Sequence, residues 1–255
     1  MLSLIVCSAV SNAQFIMDLI DTTKQMGKGM LKIYEKYDHL KISGYMQPQW
    51  QVAQAAGANT YSGGNFSTFS NNRFMLRRGR IKFEYVDFPE KKGPSLQFVF
   101  QFDGTEKGVA IRDFWGRILE NHYKVFSFTA GMFPRPFGYE VNLSSSERES
   151  PERGRMSQIL MKGERDLGAM GSFEPRLKTH SLYNLKIDIG VFNGQGINSS
   201  AEMDSYKDLV GRISLKPVDL SSKIKFSAGT SGFNGGFRQN TAYVYSTVNK
   251  MLVVD

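Results

Sequence analysis

The chain has 255 residues, 41% of them hydrophobic, and a formal net charge of +8 at pH 7. No apolar run approaches the ~18 residues that a membrane-spanning helix needs, so this sequence could cross a membrane only in strands. The basic charge indicates an anionic partner such as nucleic acid, lipid headgroups or small anions, although a basic surface without a partner has the same charge. The 25 glycines and 13% aromatic residues suit a protein of strands and turns, and a soluble β-sandwich is equally compatible with them.

The first 38 residues differ in pattern from the rest. Residues 1–13 contain an apolar run and small residues at −3 and −1 of a cut after Ala13, which predicts the remnant of a secretory signal peptide without its positive start. Cys7, the single cysteine, lies in this run, so the exported chain would have neither a disulfide nor a thiolate metal ligand. Residues 14–38 place apolar side chains at helical spacing and predict a short helical leader.

From residue 39 the hydrophobic period becomes two. Even positions from Leu40 to Val52 are mostly apolar, and odd positions from Lys41 to Gln51 are mostly polar. This segment is longer than the usual soluble strand of about 5–6 residues and long enough for the ~9–11 residues of a tilted membrane strand. Pro48 cannot donate to the ladder, so it is expected at a rim or a bulge.

Two further strands come next with the same alternation. Phe74–Phe88 carries Arg78, Arg80 and Lys82 on one face. Ser95–Asp103 forms an unbroken large apolar face, which predicts a stripe against lipid, although a sandwich core would give the same pattern. The stripe consists of Leu96, Phe98, Phe100 and Phe102.

Six more segments complete a prediction of about nine strands in one domain, residues 39–255. They are Val109–Leu119, Tyr123–Phe133, Asp166–Phe173, Leu182–Phe192, Asp208–Lys216 and Lys223–Gly229. Turns are predicted at Asp103-Gly104, Glu120-Asn121, Asn193-Gly194 and Pro217-Val218-Asp219. Short connections (89–93, 120–122, 217–222) alternate with long ones (53–72, 138–164, 193–206), as expected of short periplasmic turns and long external loops.

Cations on alternate positions are the strongest candidates for a functional site. With Ile81 and Phe83 toward lipid, Arg78, Arg80 and Lys82 would all point into the lumen of a barrel, where guanidinium groups offer forked donors to oxyanions and basic rings favour anions. Four other cations are candidates for the same lumen: Arg112, Arg117, Arg135 and Lys186. A compatible alternative is an ion-pair network that stiffens the wall through Glu84, Asp87, Asp103 and Asp113.

The charged segment 138–161 comes after two prolines that end a strand. In the family that the chain's motifs resemble, a loop of this place and size folds inward and narrows the pore, which implies Arg148, Arg153 and Arg155 at the constriction. The alternative is a solvated exterior loop whose charges pair with one another.

Enzymatic chemistry has little support. The three histidines, His39, His122 and His180, lie on separate segments without metal-ligand spacing. The aromatic residues alternate away from the basic ones, unlike a nucleic-acid module. We therefore predict no enzyme, no cofactor, no metal and no nucleic-acid partner.

A series of motifs resembles the family of phosphate-selective porins O and P. In order they are ISGYMQ (42–47), RFMLRRGRIKFE (73–84), IRDFW (111–115), GMFPRPFGYE (131–140), ERDLGA (164–169), VFNGQG (191–196) and DLVGRI (208–213). The resemblance implies a sixteen-stranded, homotrimeric, antiparallel transmembrane β-barrel in a Gram-negative outer membrane, with a basic lumen for small anions such as phosphate or polyphosphate. About nine strands and an end at Met251–Asp255 without a terminal aromatic indicate a C-terminally truncated member.

The sequence thus predicts an all-β outer-membrane porin that is a passive channel for anions. Its partners would be small inorganic anions and outer-membrane lipid. Two alternatives remain open: a non-conducting structural or adhesive barrel, and a secreted β-sandwich that binds an acidic ligand.

Overall fold

The structure is a computed structural model that describes residues 39–59, 63–89, 93–150, 152–161, 163–197, 205–221 and 224–236, together with the backbone of 245–248 and 251–254. The predicted signal-peptide remnant (1–13) and helical leader (14–38) lie outside the described residues.

Nine strands form one antiparallel sheet in which each strand pairs with its neighbours in the chain. They are β1 (Leu40–Val52), β2 (Asn72–Asp87), β3 (Leu96–Thr105), β4 (Gly108–Leu119), β5 (Phe126–Pro134), β6 (Arg165–Phe173), β7 (Leu185–Phe192), β8 (Asp208–Ser221) and β9 (Ile224–Asn234). A short helix, α1 (Arg155–Leu160), lies between β5 and β6, and β10 (Tyr245–Val248) pairs with β11 (Met251–Val254) in a separate hairpin. Within the described residues no helix has the length and hydropathy needed to cross a bilayer.

The prediction of an all-β chain with about nine strands in this order is confirmed, but several strand ends differ. The turn predicted at Asp103-Gly104 is wrong, because β3 continues to Thr105. The turn predicted at Pro217–Asp219 is also wrong, because β8 runs on to Ser221. The register shifts between Leu215 and Val218, which removes Pro217 from the ladder it cannot join.

The connections are partly sorted by length between the two ends of the sheet. One end carries the segments 53–71, 135–164 and 193–207, and the other carries 88–95, 120–125 and 222–223. Two connections break the sorting: the tight hairpin at 106–107 lies at the long-loop end, and the segment 174–184 lies at the short-turn end.

One face of the sheet, called here the apolar face, presents large hydrophobic side chains to the outside. Register places six of them in one row across neighbouring strands, in the order Ile42, Phe83, Phe100, Phe114, Met132 and Leu167. Phe100 remains 40% exposed, and its ring lies 4.2 Å from that of Phe114 between centroids. Phe98, Ile118, Phe128 and Ile189 extend this exposed face. The predicted stripe of β3 therefore lies on the apolar face, with Phe98 and Phe100 as its exposed members.

The opposite face, called here the polar face, buries charged and hydroxyl side chains. Tyr45, Arg80 and Asp103 form one row across β1–β3. Arg80 is only 5% exposed, and Asp113, Thr129, Ser172 and Asp188 are similarly buried. A water-soluble sheet normally buries its hydrophobic side, so the polarity of this sheet is reversed.

Two bulges each place an additional arginine on the polar face. Arg77 has no partner where the register shifts between Gln47 and Pro48, which confirms that Pro48 lies at a bulge. Arg112 likewise has no partner where the register shifts between Gln101 and Phe102. A bulge sets two residues against one on the neighbouring strand, and both extra residues here are cations.

The long connection 135–164, called the crossing loop, packs on the polar face and shows that this face is concave. The backbone N of Gly138 donates to Ser231 Oγ on β9, and Ser145 Oγ bonds to the hydroxyl of Tyr45 on β1. The seven residue steps from Gly138 to Ser145 reach at most about 25 Å when fully extended. Turns between Tyr139 and Leu143 make this segment shorter. In a flat sheet, the eight spacings between neighbouring strands from β1 to β9 would add up to about 38 Å. The sheet therefore curves around the crossing loop.

Candidate functional site

The first part of the crossing loop is fixed to β5–β9. Arg135, 1% exposed, donates from Nη1 to Asp208 Oδ2 at 3.0 Å and from Nε to the carbonyl of Gly163 at 3.0 Å. Phe137 packs edge-on against Phe233, with 6.4 Å between ring centroids. Beneath them lies an apolar cluster on the polar face, formed by Phe133, Met170, Phe192 and Val210.

The middle of the crossing loop lies over β1 and β2. Ser145, 4% exposed, bonds through its hydroxyl to Tyr45 and Arg80, and its carbonyl accepts from Gln47 Nε2 at 3.2 Å. The alternation in β1 and β2 places these three partners on the polar face. This contact is made by hydrogen bonds, in contrast to the apolar packing at Phe137.

Glu152 connects the crossing loop to the first bulge. Its Oε1 lies 2.6 Å from Arg77 Nε and its Oε2 lies 2.9 Å from Arg78 Nη2. Burial raises the pKa of Glu152, but the hydrogen bond from Arg77 and the charges of Arg78 and Arg77 outweigh it and hold the pKa below its usual value. The carboxylate is therefore charged at neutral pH.

Glu164, at the end of the crossing loop, is surrounded by arginines. Its oxygens lie 2.6 Å from Arg112, 2.7 Å from Arg153 and 2.7 Å from Arg165, with Arg148 at 3.9 Å. Burial raises the pKa of Glu164, but the charges of these four arginines, led by Arg112 and Arg165, hold it below its usual value. Glu164 thus links the second bulge, the loop and β6.

Two strand carboxylates complete the group. Asp103 accepts from Arg80 at 3.2 Å and contacts Arg112 at 3.4 Å, and Asp113 lies 2.6 Å from Arg165 Nε. We call this group the arginine cluster: Arg77, Arg78, Arg80, Arg112, Arg148, Arg153 and Arg165, with Asp103, Asp113, Glu152 and Glu164. Seven cations face four carboxylates, so the cluster is positively charged at neutral pH.

A cavity of about 400 Å³ opens beside the arginine cluster, between the crossing loop and β1–β3. Its charged lining consists of three cations, Arg80, Lys82 and Arg165, and one carboxylate, Glu147. Tyr45 and Ser146 add hydroxyl groups. This lining offers hydrogen-bond donors and positive charge, which suit a small anion.

The structure brings six of the ten predicted site residues to one region. Arg78, Arg80, Lys82, Arg112, Arg148 and Arg153 lie in the arginine cluster or line the cavity beside it. Lys82 also pairs with Glu84 at 2.7 Å.

The other four predicted residues lie elsewhere. Arg117 is on the polar face nearer the short turns, where it donates to Thr129 Oγ1 at 2.9 Å and lies over the ring of Trp115. Lys186 pairs with Glu174 at 3.0 Å. Arg135 is enclosed at the base of the crossing loop. Arg155 begins α1 with an exposed side chain.

Ion pairs of the alternative, wall-stiffening network are also present in the structure. Of the four carboxylates named for it, Asp103 and Asp113 pair with arginines and Glu84 pairs with Lys82. Asp87 instead accepts from the hydroxyl of Ser95 at 3.0 Å. The anion-binding interpretation and the ion-pair interpretation use the same arginines, because an arginine that is paired with a carboxylate still contributes to the net positive field.

Sequence reasoning did not select Arg77, Arg165, Tyr45 or Ser145. Strict alternation turns Arg77 away from Arg78, and only the bulge opposite Pro48 places both on Glu152. The available signals were the two consecutive arginines and the proline in the preceding strand. Nothing local in the sequence indicates that Ser145 would contact β1.

No group of three or more histidine, cysteine or acidic side chains that could hold a metal occurs in the described part of the chain. Comparison with family models, curated proteins and solved structures gives no match to this chain.

Proposed function

We propose that this chain forms part of the wall of an outer-membrane β-barrel porin and that its concave polar face lines a passive path for anions. The observation that carries the proposal is the reversed polarity of the sheet: large side chains such as Phe100 are exposed while Arg80 is buried on the opposite face. Lipid outside and water inside is the environment in which this arrangement has the lowest free energy. The series of motifs that resembles the phosphate-selective porins favours the same proposal.

The lengths and ends of the strands support membrane insertion. β1, β2 and β4 have 13, 16 and 12 residues, which exceeds the ~9–11 residues needed to cross tilted. Trp50 stacks on Phe74 at the long-loop end, and exposed Tyr85 and Phe88 lie at the short-turn end. Aromatic side chains at both ends of lipid-facing strands are typical of interfacial girdles.

The exposed apolar face of the sheet argues against a secreted β-sandwich. A sandwich would cover the apolar face with a second sheet, and among the described residues the second sheet is the hairpin β10–β11 alone.

Anion preference is expected from the charges that surround the cavity. Three cations and one carboxylate line it, and the adjoining arginine cluster has more guanidinium groups than carboxylates. In a narrow, partly dehydrated space this balance attracts anions and repels cations.

The test is the reversal potential of the protein reconstituted in planar lipid bilayers under a KCl gradient. We expect the reversal potential of wild type to have the sign that a Cl⁻-permeable pore gives. Lys82→Glu should lower the anion/cation permeability ratio, because Lys82 lines the cavity. Lys178→Glu makes the same charge change on an exposed connection and should leave the ratio unchanged. A cation-selective reversal potential would overturn the proposal, and membrane insertion without conductance would favour a structural barrel.

A further inference from the structure

The carboxylate of Glu152 contacts two arginines in the way that a bound oxyanion would. Its two carboxylate oxygens contact two different guanidinium groups, Arg77 at 2.6 Å and Arg78 at 2.9 Å. Phosphate and carboxylate oxygens prefer the same forked donors at the same distances. The bulge opposite Pro48 creates this pair by turning consecutive arginines to one side.

The contact joins two separate parts of the fold and can therefore be broken without unfolding the sheet. The arginines belong to β2, which is held by its ladders to β1 and β3, whereas Glu152 belongs to the crossing loop. The side chains of Glu152 and Arg77 are 27% and 26% exposed and that of Arg78 is 9% exposed, so an ion from solution reaches the pair from the side of Arg77.

We infer that Glu152 is an internal competitor for the transported anion, whose carboxylate occupies the Arg77–Arg78 pair until an oxyanion displaces it. This inference rests on the proposed anion-porin function and deepens it. Competition weakens binding at the pair and speeds release of the ion, and a conducting path needs sites that ions can leave. The displaced carboxylate repels the anion that replaced it, which also favours exit.

The neighbouring loop carboxylate supplies a matched control. Glu149 lies three residues earlier in the crossing loop, is exposed, and contacts no charged group in the described structure. Glu149→Gln and Glu152→Gln remove the same charge from the same loop, and they differ in whether the arginine pair loses its carboxylate. Glu152→Asp keeps the charge but shortens the side chain by one methylene, which withdraws the carboxylate from the pair.

The experiment measures the affinity of inorganic phosphate for the detergent-solubilised protein by calorimetry, at constant pH and ionic strength. We expect Glu152→Gln to bind about tenfold more tightly than wild type, which corresponds to about 1.4 kcal/mol. Glu152→Asp should also bind more tightly, by a smaller factor, and Glu149→Gln should match wild type. Urea unfolding of each variant establishes that it is folded before its affinity is compared.

Conductance in planar bilayers separates failure of this inference from failure of the proposed function. In Glu152→Gln the phosphate concentration at half-saturating conductance should fall with the dissociation constant. If wild type is anion-selective and Glu152→Gln binds phosphate no more tightly than Glu149→Gln, the competitor role is wrong while the porin proposal stands. If the protein does not conduct and does not bind phosphate, both are wrong.

Discussion

The guanidinium of Arg135 lies 3.0 Å from the carboxylate of Asp208, and both side chains are almost fully enclosed. The pair joins the start of the crossing loop to the first residue of β8, across the buried side chains of Phe133 and Phe192. Asp208 Oδ1 also accepts from the backbone N of Gly236 at 3.2 Å. The crossing loop is therefore fixed at its base by buried contacts.

Removing Arg135 should strongly destabilise the protein. Arg135→Ala breaks the buried pair with Asp208 and removes the bonds to the carbonyl of Gly163, and breaking a buried pair typically costs about 3–5 kcal/mol. The measurement is urea unfolding of the protein folded in lipid vesicles. Arg155→Ala, at an exposed position, is the control and should change the free energy of unfolding by less than about 0.5 kcal/mol. Equal effects of the two substitutions would contradict the assignment of Arg135 to the base of the loop.

The hydroxyl of Tyr45 should hold the middle of the crossing loop in place. Tyr45→Phe removes the bond to Ser145 and leaves Arg80 with one acceptor fewer. We expect the loop to open more often, so that trypsin cleaves after Arg148 several-fold faster. Tyr139→Phe deletes the same group from an exposed ring and should leave the rate unchanged. Unaltered cleavage in Tyr45→Phe would show that this contact does not restrain the loop.

Glu164 should make stability depend on pH in the acid range. Its pKa in the folded protein lies below the usual value of 4.5, so its stabilising effect is complete above pH 4.5 and is lost as the pH falls through the folded pKa. Wild type should therefore lose stability below pH 4.5. Glu164→Gln should be less stable at pH 7 and should lose less on acidification.

Thermal unfolding at pH 7 and at successive values below pH 4.5 measures this difference. Glu149→Gln is the control, because that side chain is exposed, and its acid dependence should match wild type. Parallel curves for wild type and Glu164→Gln would contradict the role of Glu164 as the carboxylate that links the loop to β4 and β6.

A charge on the apolar face should impair membrane insertion. Phe100→Arg places a cation in the middle of the apolar row, where lipid exposure would cost about 2–4 kcal/mol. Gln101→Arg makes a cation at the next residue, which lines the cavity on the polar face. We expect a lower yield of folding into lipid vesicles for Phe100→Arg and a nearly normal yield for Gln101→Arg. In a water-soluble sheet the exposed Phe100 would tolerate the charge better than Gln101.

The regular part of the fold could be predicted from the sequence because alternation is a local property. The period of two in β1 and β3 requires no knowledge of neighbours, and it assigns Phe100 and Gln101 to opposite faces correctly. The same alternation identified Arg78 and Arg80 as members of one face.

The candidate site was less predictable because it depends on register and on long-range contacts. One extra residue at each bulge reverses the facing of the residues after it, so Arg77 and Arg112 join the polar face against simple alternation. The contacts of Glu152 with β2 span some 75 residues of sequence, and no periodic pattern encodes them. Arg135 was selected for its charge, although the buried partner that gives it a structural role lies on β8.

The most direct test of the central claim is lipid access along β3. In a Cys7→Ser background, single cysteines at positions 97–102 would carry a fluorophore, and quenching by brominated lipid would be compared with quenching by aqueous iodide. We predict alternation: strong lipid quenching at positions 98, 100 and 102, stronger iodide quenching at 97 and 101, and little quenching by either agent at 99, where Val99 is 2% exposed. Iodide quenching at every position, or lipid quenching that does not alternate, would contradict the proposed orientation of the sheet.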